Sequence, residues 1–176
     1  MRLDAYLSRI GFSGRPRPDL ASLQALMRAH LLAIPFEAVD VHLGAPLDLD
    51  PARIYDKIVE RKRGGWCYEM NGLFGWALGE LGFDVTRLAG GVMREQAGDG
   101  PIGNHLCLLV SCKEGPQLVD VGFGGSLFAP IPFAPGAHHH APFDIRLAET
   151  GDGYWRFEEA AADGPFSTRP QARVAR

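Results

Sequence analysis

Arg63-Gly64-Gly65-Trp66-Cys67-Tyr68-Glu69-Met70-Asn71-Gly72-Leu73-Phe74, running on to Gly82, decides how the chain is read. Two glycines make a tight loop; Leu73, Phe74, Ala77, Leu78 and Leu81 then recur at helical spacing until Gly82 stops the pattern. The stretch predicts a helix that opens near Trp66-Cys67. Upstream the texture is the same. Leu3, Tyr6, Leu7 and Ile10 fall on one helical face, and Leu20, Leu23, Met27, Leu31 and Ile34 form a second stripe after Pro18-Asp19 and before Pro35. A further helix begins at Asp50-Pro51, an acidic cap followed by proline, with Ile54, Ile58 and Val59 as its apolar side. After Phe83 come short apolar runs between Gly and Pro: Val85 to Leu88, Leu106 to Val110, Leu118 to Val121, Phe143 to Leu147 and Tyr154 to Phe157. Helices first and strands later predict an α+β chain: a helical bundle over 1–83, an antiparallel β-rich domain over 84–160, and a polar tail over 161–176.

Composition narrows the function classes. The 176 residues are 46% hydrophobic and 22% charged, the balance of a globular chain with a core of its own. A formal net charge of −3 gives no footprint for nucleic acid and no polybasic membrane patch. No apolar run reaches the roughly 18 residues that a membrane span needs. The start, Met1-Arg2-Leu3-Asp4, lacks the apolar stretch of a signal peptide. Three cysteines, two of them (Cys107 and Cys112) in one apolar run, argue against a disulfide framework and for a reducing, cytoplasmic setting.

The chemistry concentrates at three positions. A thiol at Cys67, where the helix begins, meets unpaired backbone N–H groups and the positive end of the helix dipole, which favours thiolate; the bland alternative is a small buried hydrophobe. His105 opens the apolar run Leu106 to Val110 and is either a packed core imidazole or a base. Asp120, in Leu118-Val119-Asp120-Val121-Gly122, needs a partner in so apolar a setting, or else caps the turn. The 38 residues from Cys67 to His105 and 15 more to Asp120 let two neighbouring antiparallel strands bring the last two to the helix bearing the first. Thiol, imidazole and orienting acid form a nucleophile–base–orienter set, in the order of the papain-like enzymes. The run His138-His139-His140 reads as a flexible loop, since three consecutive residues cannot all face one ion. No metal site is expected. His30 reads as a packed core residue. Gly122-Phe123-Gly124-Gly125 would let a phosphate approach the backbone but lacks the lysine of a phosphate loop, and Arg61-Lys62-Arg63 reads as a solvated helix end, with contact to an anionic cofactor as the second reading.

Taken together, the Arg63-to-Asn71 stretch closely resembles the Arg-Gly-Gly-x-Cys-x-Glu-x-Asn signature of the arylamine N-acetyltransferases. Ile34-Pro35-Phe36-Glu37 is similar to the turn after that family's second helix, and Asn104-His105 and Val119-Asp120-Val121-Gly122-Phe123-Gly124 match its histidine and aspartate segments in order and spacing. The resemblance runs from about Leu3 to Phe157. It implies a papain-like catalytic core, acetyl-CoA as co-substrate, and acetyl transfer to an arylamine, arylhydrazine or N-hydroxyarylamine in xenobiotic metabolism. Cys67, His105 and Asp120 become nucleophile, base and orienter. Phe123 lines the acceptor pocket, with Gly124, Gly125, Ser126 and Asn104 along the substrate path. Arg63 and Glu69 are expected to pair and hold the loop, and Asn71 is left open. Family members carry a third domain that this chain is expected to lack, leaving an apolar surface prone to self-association. The alternatives are a cysteine hydrolase of thioesters or amides, with water as acceptor, and a folded remnant that only binds.

Overall fold

Helix caps set the first half of the molecule. The structure, a computed structural model, describes residues 1–161, 164 and 165, and the backbone alone of 167–173. Helix α1 spans Leu3–Arg9. Helix α2, Leu20–Ala33, starts where the Asp19 carboxylate accepts from the Ser22 N–H at 2.8 Å. A short helix, α3, spans Val39–His42, a segment that carries no apolar stripe. Helix α4, Pro51–Tyr55, is capped by Asp50, whose Oδ1 accepts from the Ala52 N–H at 2.7 Å. It runs on into a π turn, Asp56–Glu60, whose wider winding buries three consecutive residues, Lys57, Ile58 and Val59. Helix α5 spans Cys67–Glu80. Tyr6, Leu23, Leu26, Met27, Ile58, Phe74 and Leu78 are fully buried between these helices. His30 belongs to this core as expected: it shares a 2.8 Å hydrogen bond with Tyr6, and burial, aided by the Arg9 charge, holds its pKa down at about 3.

The second half is one eight-stranded antiparallel sheet in the order β4-β3-β2-β1-β8-β7-β6-β5. Its strands are β1 Asp84–Gly91, β2 Ile102–Cys112, β3 Gly115–Val119, β4 Ile131–Pro132, β5 Gly136–His140, β6 Phe143–Glu149, β7 Trp155–Ala161 and β8 Ser167–Arg173. A four-residue helix, α6, Arg94–Ala97, lies between β1 and β2. The α+β reading holds, with all helical residues before 84 except this turn. No helix among the described residues is long and apolar enough to cross a membrane.

Two expectations need correction. The histidine run is strand β5, paired residue for residue with β6 (His139 opposite Asp144), and not a flexible loop. The expected tail from 161 contains β8, which pairs with both β1 and β7. Its sequence has no apolar alternation, yet pairing uses backbone N–H and C=O groups that every residue but proline supplies, so side-chain pattern does not announce it. Residues 162, 163, 166 and 174–176 of that tail lie outside the described residues.

The loop before Cys67 is anchored from the helical side. Phe36 and Gly65 form a parallel bridge, with the Glu37 N–H donating to Gly65 O at 3.0 Å and the Gly65 N–H donating to Pro35 O at 3.3 Å. Arg9 adds three bonds from its guanidinium, to the carbonyls of Ile58, Ala33 and Arg63. Gly64 is required here by space: a Cβ would stand 2.1 Å from Pro35 O. Gly64→Ala is therefore expected to lower unfolding free energy by about 1–3 kcal/mol, the usual cost of forced overpacking. Urea denaturation with an unchanged midpoint would contradict the close approach.

Candidate active site

Cys67 is the first residue of α5, following an extended Trp66 whose N–H donates to Glu69 Oε2 at 3.1 Å. Cys67 is 8% exposed. Strands β2 and β3 pair with Leu108 opposite Val119, which brings His105 of β2 and Asp120, one residue past β3, to the same end of the sheet. There His105 Nε2 lies 2.6 Å from Asp120 Oδ2, and Cys67 is near enough to the same imidazole to help raise its pKa. Nδ1 is the ring nitrogen left for the thiol. The sequence-derived trio converges.

Asp120 is held from three directions. Its Oδ1 accepts from Asn71 Nδ2 at 2.8 Å and from the Gly122 N–H at 2.8 Å, while Oδ2 faces His105. Asn71, fully buried one turn along α5 from Cys67, also donates to Leu106 O at 2.7 Å and accepts from the Val121 N–H at 2.9 Å. Its amide thus binds the nucleophile helix to both strands that carry the other two groups. Sequence reasoning left Asn71 open, and its one local clue is a polar residue on the apolar stripe of a helix. Gly122 is a further residue that sequence reading did not place. A Cβ there would stand 2.6 Å from Cys67 Cα and 2.7 Å from Asn71 Nδ2, so only glycine lets the loop reach the helix start.

Burial alone would strip the proton from His105. The charge of Asp120 and its hydrogen bond outweigh that penalty, with help from Cys67, and push the imidazole up to about 10. At neutral pH it is an imidazolium beside a sulfur. Cys107 and Cys112 are in the opposite position, their thiols pushed up by burial.

Next to Asp120 lies a largely apolar cavity of about 320 Å³, whose wall includes neither Cys67 nor His105. Strands β2, β3, β6 and β7 all reach it, through Cys107, Leu118, Leu147 and Trp155, so the sheet curves around it. Phe123, Gly124, Gly125 and Ser126 are in its wall together with Asp120. Phe123 also meets the His105 ring edge-on at 5.2 Å between centroids. Ser126 donates its hydroxyl to Glu159 at 2.5 Å and its N–H to the same carboxyl oxygen at 3.1 Å. Asn104 is outside this wall: its side-chain oxygen accepts from the Val92 N–H at 2.9 Å and its amide donates to Val92 O.

Arg63 and Glu69 do not pair with each other. Arg63 Nη2 binds Glu37 at 2.7 Å and Asp40 at 2.9 Å, whereas Glu69 takes Lys57 Nζ at 2.8 and 2.9 Å. Lys57 joins the two halves through Asp40 at 2.8 Å, so the loop is held by one cluster of five charges. Among the described residues no three or more His, Cys, Asp or Glu side chains are grouped so as to hold a metal ion.

An α+β fold that brings a helix-start thiol, an imidazole and a carboxylate together has the layout of the cysteine-nucleophile proteins as a class. Within that class the chain belongs to the arylamine N-acetyltransferase family. A family model described as N-acetyltransferase matches residues 19–170. The arylamine N-acetyltransferase of Mycolicibacterium smegmatis is 43% identical over an alignment covering 99% of this chain and 67% of that protein. A solved structure of the M. smegmatis enzyme superposes with a TM-score of 0.89 at 41% identity, covering 99% of this chain and 66% of that one. The Mycobacterium marinum enzyme, solved in complex with CoA, gives 0.88 at 35%, again covering 99% and 66%. The chain thus spans about two thirds of the length of these relatives.

The raised His105 fixes the sign of a pH effect. A group whose pKa rises on folding, here from 6.5 to about 10, contributes stability that is full below 6.5 and is lost as pH climbs through 10. Unfolding free energy is expected to fall across that window more steeply than in Asp120→Asn, which lacks the carboxylate. Parallel urea-derived curves for the two proteins would contradict the assignment.

Proposed function

We propose that the protein transfers acetyl from acetyl-CoA to an arylamine, arylhydrazine or N-hydroxyarylamine by way of an acetyl group on Cys67. The observation that carries the reading is the His105–Asp120 pair set against a thiol at the start of α5. Cys67 is the nucleophile, His105 the proton carrier and Asp120 the group that orients and charges the imidazole. Their arrangement, with the thiol on a helix and the other two at the end of a sheet, supports a papain-like core. Residues 1–83 are read as the helical domain carrying the nucleophile, and 84–160 as the β-rich domain carrying the pair.

In the first half-reaction the Cys67 thiolate attacks the thioester carbonyl and the carbonyl electrons move onto oxygen. Backbone N–H groups at the start of α5, which have no partner within the helix, are assigned to the developing charge. Collapse breaks the carbon–sulfur bond to CoA, and His105 gives its proton to the departing thiolate. In the second, the amine nitrogen attacks acetyl-Cys67 and now-neutral His105 takes a proton from it. Collapse expels the Cys67 thiolate, restoring the ion pair and releasing the amide.

The cavity supports an aromatic acceptor. Its volume of about 320 Å³ suits a substituted ring, and Phe123, Phe128 and Phe157 in its wall are side chains of the kind such a ring packs on, while Phe133 and Trp155 pack on each other at 4.3 Å between centroids. Phe123, Gly124, Gly125 and Ser126 are assigned to the substrate path on this basis. Asn104, near the start of β2, is kept there as the residue that fixes the Val92 backbone just past the end of β1. The CoA complex of the M. marinum relative supports acetyl-CoA as donor.

Brief exposure to acetyl-CoA without amine is expected to leave one acetyl group, mapped to Cys67 by peptide mass spectrometry. Addition of an arylamine should then discharge it faster than water does. Acetyl loss at a rate indifferent to the amine would favour a hydrolase, and absence of any adduct would sink both. Cys67→Ser should keep its fold by circular dichroism and lose transfer by at least about a thousandfold, the scale set by loss of a catalytic nucleophile. Near-normal turnover in that variant would exclude the nucleophile assignment.

A further inference from the structure

Lys57 is 5% exposed, an unusual place for an ammonium, and the π turn is what turns it inward beside Ile58 and Val59. Its Nζ sits 2.9 and 2.8 Å from the two oxygens of Glu69, 2.8 Å from Asp40 and 3.6 Å from Glu37. Burial works against its charge, but the bonds to Asp40 and Glu69 outweigh this and raise its pKa above the ordinary lysine value. Arg63 reaches Glu37 and Asp40; among the described residues Lys57 is the cation at ion-pair distance from Glu69.

Glu69 matters because of its position. It is the third residue of α5, two beyond Cys67, and its Oε2 accepts the Trp66 N–H that immediately precedes the thiol. A helix N-terminus favours one negative charge, and a second in the same turn opposes the first. We propose that Lys57 is a positioning residue for the Cys67 nucleophile: it clamps Glu69 in its capping geometry and cancels a charge that would compete with the thiolate for the start of α5. This rests on the reading of Cys67 as nucleophile. The charged and titratable groups around Cys67 are His105 from β2 with Asp120 behind it and Tyr68 from α5, and Glu69, two residues along α5, is tied to the backbone N–H just before the thiol. Those around Lys57 are Glu37, Asp40, Glu69 and, through two shared partners, Arg63.

The test is the rate of Cys67 alkylation by iodoacetamide, located by peptide mapping on the folded full chain across pH. Lys57→Met is expected to slow the reaction near neutral pH roughly tenfold and to move its profile about one unit upward. Lys57→Arg keeps the wild-type profile. Adding Glu69→Gln to Lys57→Met restores the rate, which a purely packing defect would not allow. If Lys57→Met does not fold by circular dichroism, Glu69→Gln alone reads the same coupling, since it removes the carboxylate, keeps a capping oxygen and is expected to move the profile downward. An unshifted profile in Lys57→Met or in Glu69→Gln, or no rescue in the double variant, overturns the proposal. A wild-type Cys67 that reacts no faster than Cys107 and Cys112 overturns instead the reading on which it rests.

Discussion

Everything at the site hangs on the carboxylate of Asp120. Its two oxygens accept from His105, Asn71 and the Gly122 N–H, and through them they join a strand, a helix and a loop. A buried carboxylate is tolerable only when its hydrogen-bonding capacity is met, so the charge that sets the imidazole also fixes where the three elements stand. Asn71 spends every part of its amide on this arrangement. One side chain of α5 thereby carries the relative position of nucleophile and base.

A second constraint acts on the other side of Cys67. The Arg63-to-Trp66 loop is pinned by a backbone bridge to Phe36, by Arg9 and by a cluster in which Lys57 and Arg63 meet three carboxylates. Ion pairs at a surface contribute little, but paired charges in a buried cluster are expensive to break one at a time. The loop is thus rigid where the thiol must be exact in position, and the glycines at 64 and 122 remove the two side chains that would hold the surrounding backbone apart.

Much of this was legible in the residues. The helical stripes, the acidic caps at Asp19 and Asp50 and the strand runs after Phe83 are local signals, and local signals fix element type. The candidate trio was legible because a thiol at a helix start, a histidine at a strand start and an acid in an apolar run each break a pattern. Asn71 and Lys57 were harder to find, since their partners lie 49 and 12 residues away. Strand β8 and the histidine strand β5 were hidden for another reason, because backbone pairing leaves no mark on side-chain order.

The sequence by itself determined the α+β order, the caps, the loop glycines and the kinds of group the site would contain. These follow from steric and polar preferences that act within a few residues. Tertiary structure decided that Glu69 binds Lys57 and not Arg63, that Gly122 is a point of close contact with the start of α5, and that His105 keeps its proton well above neutral pH. Each of these depends on which distant groups are brought within about 3 Å, and burial and Coulomb forces act on that distance alone.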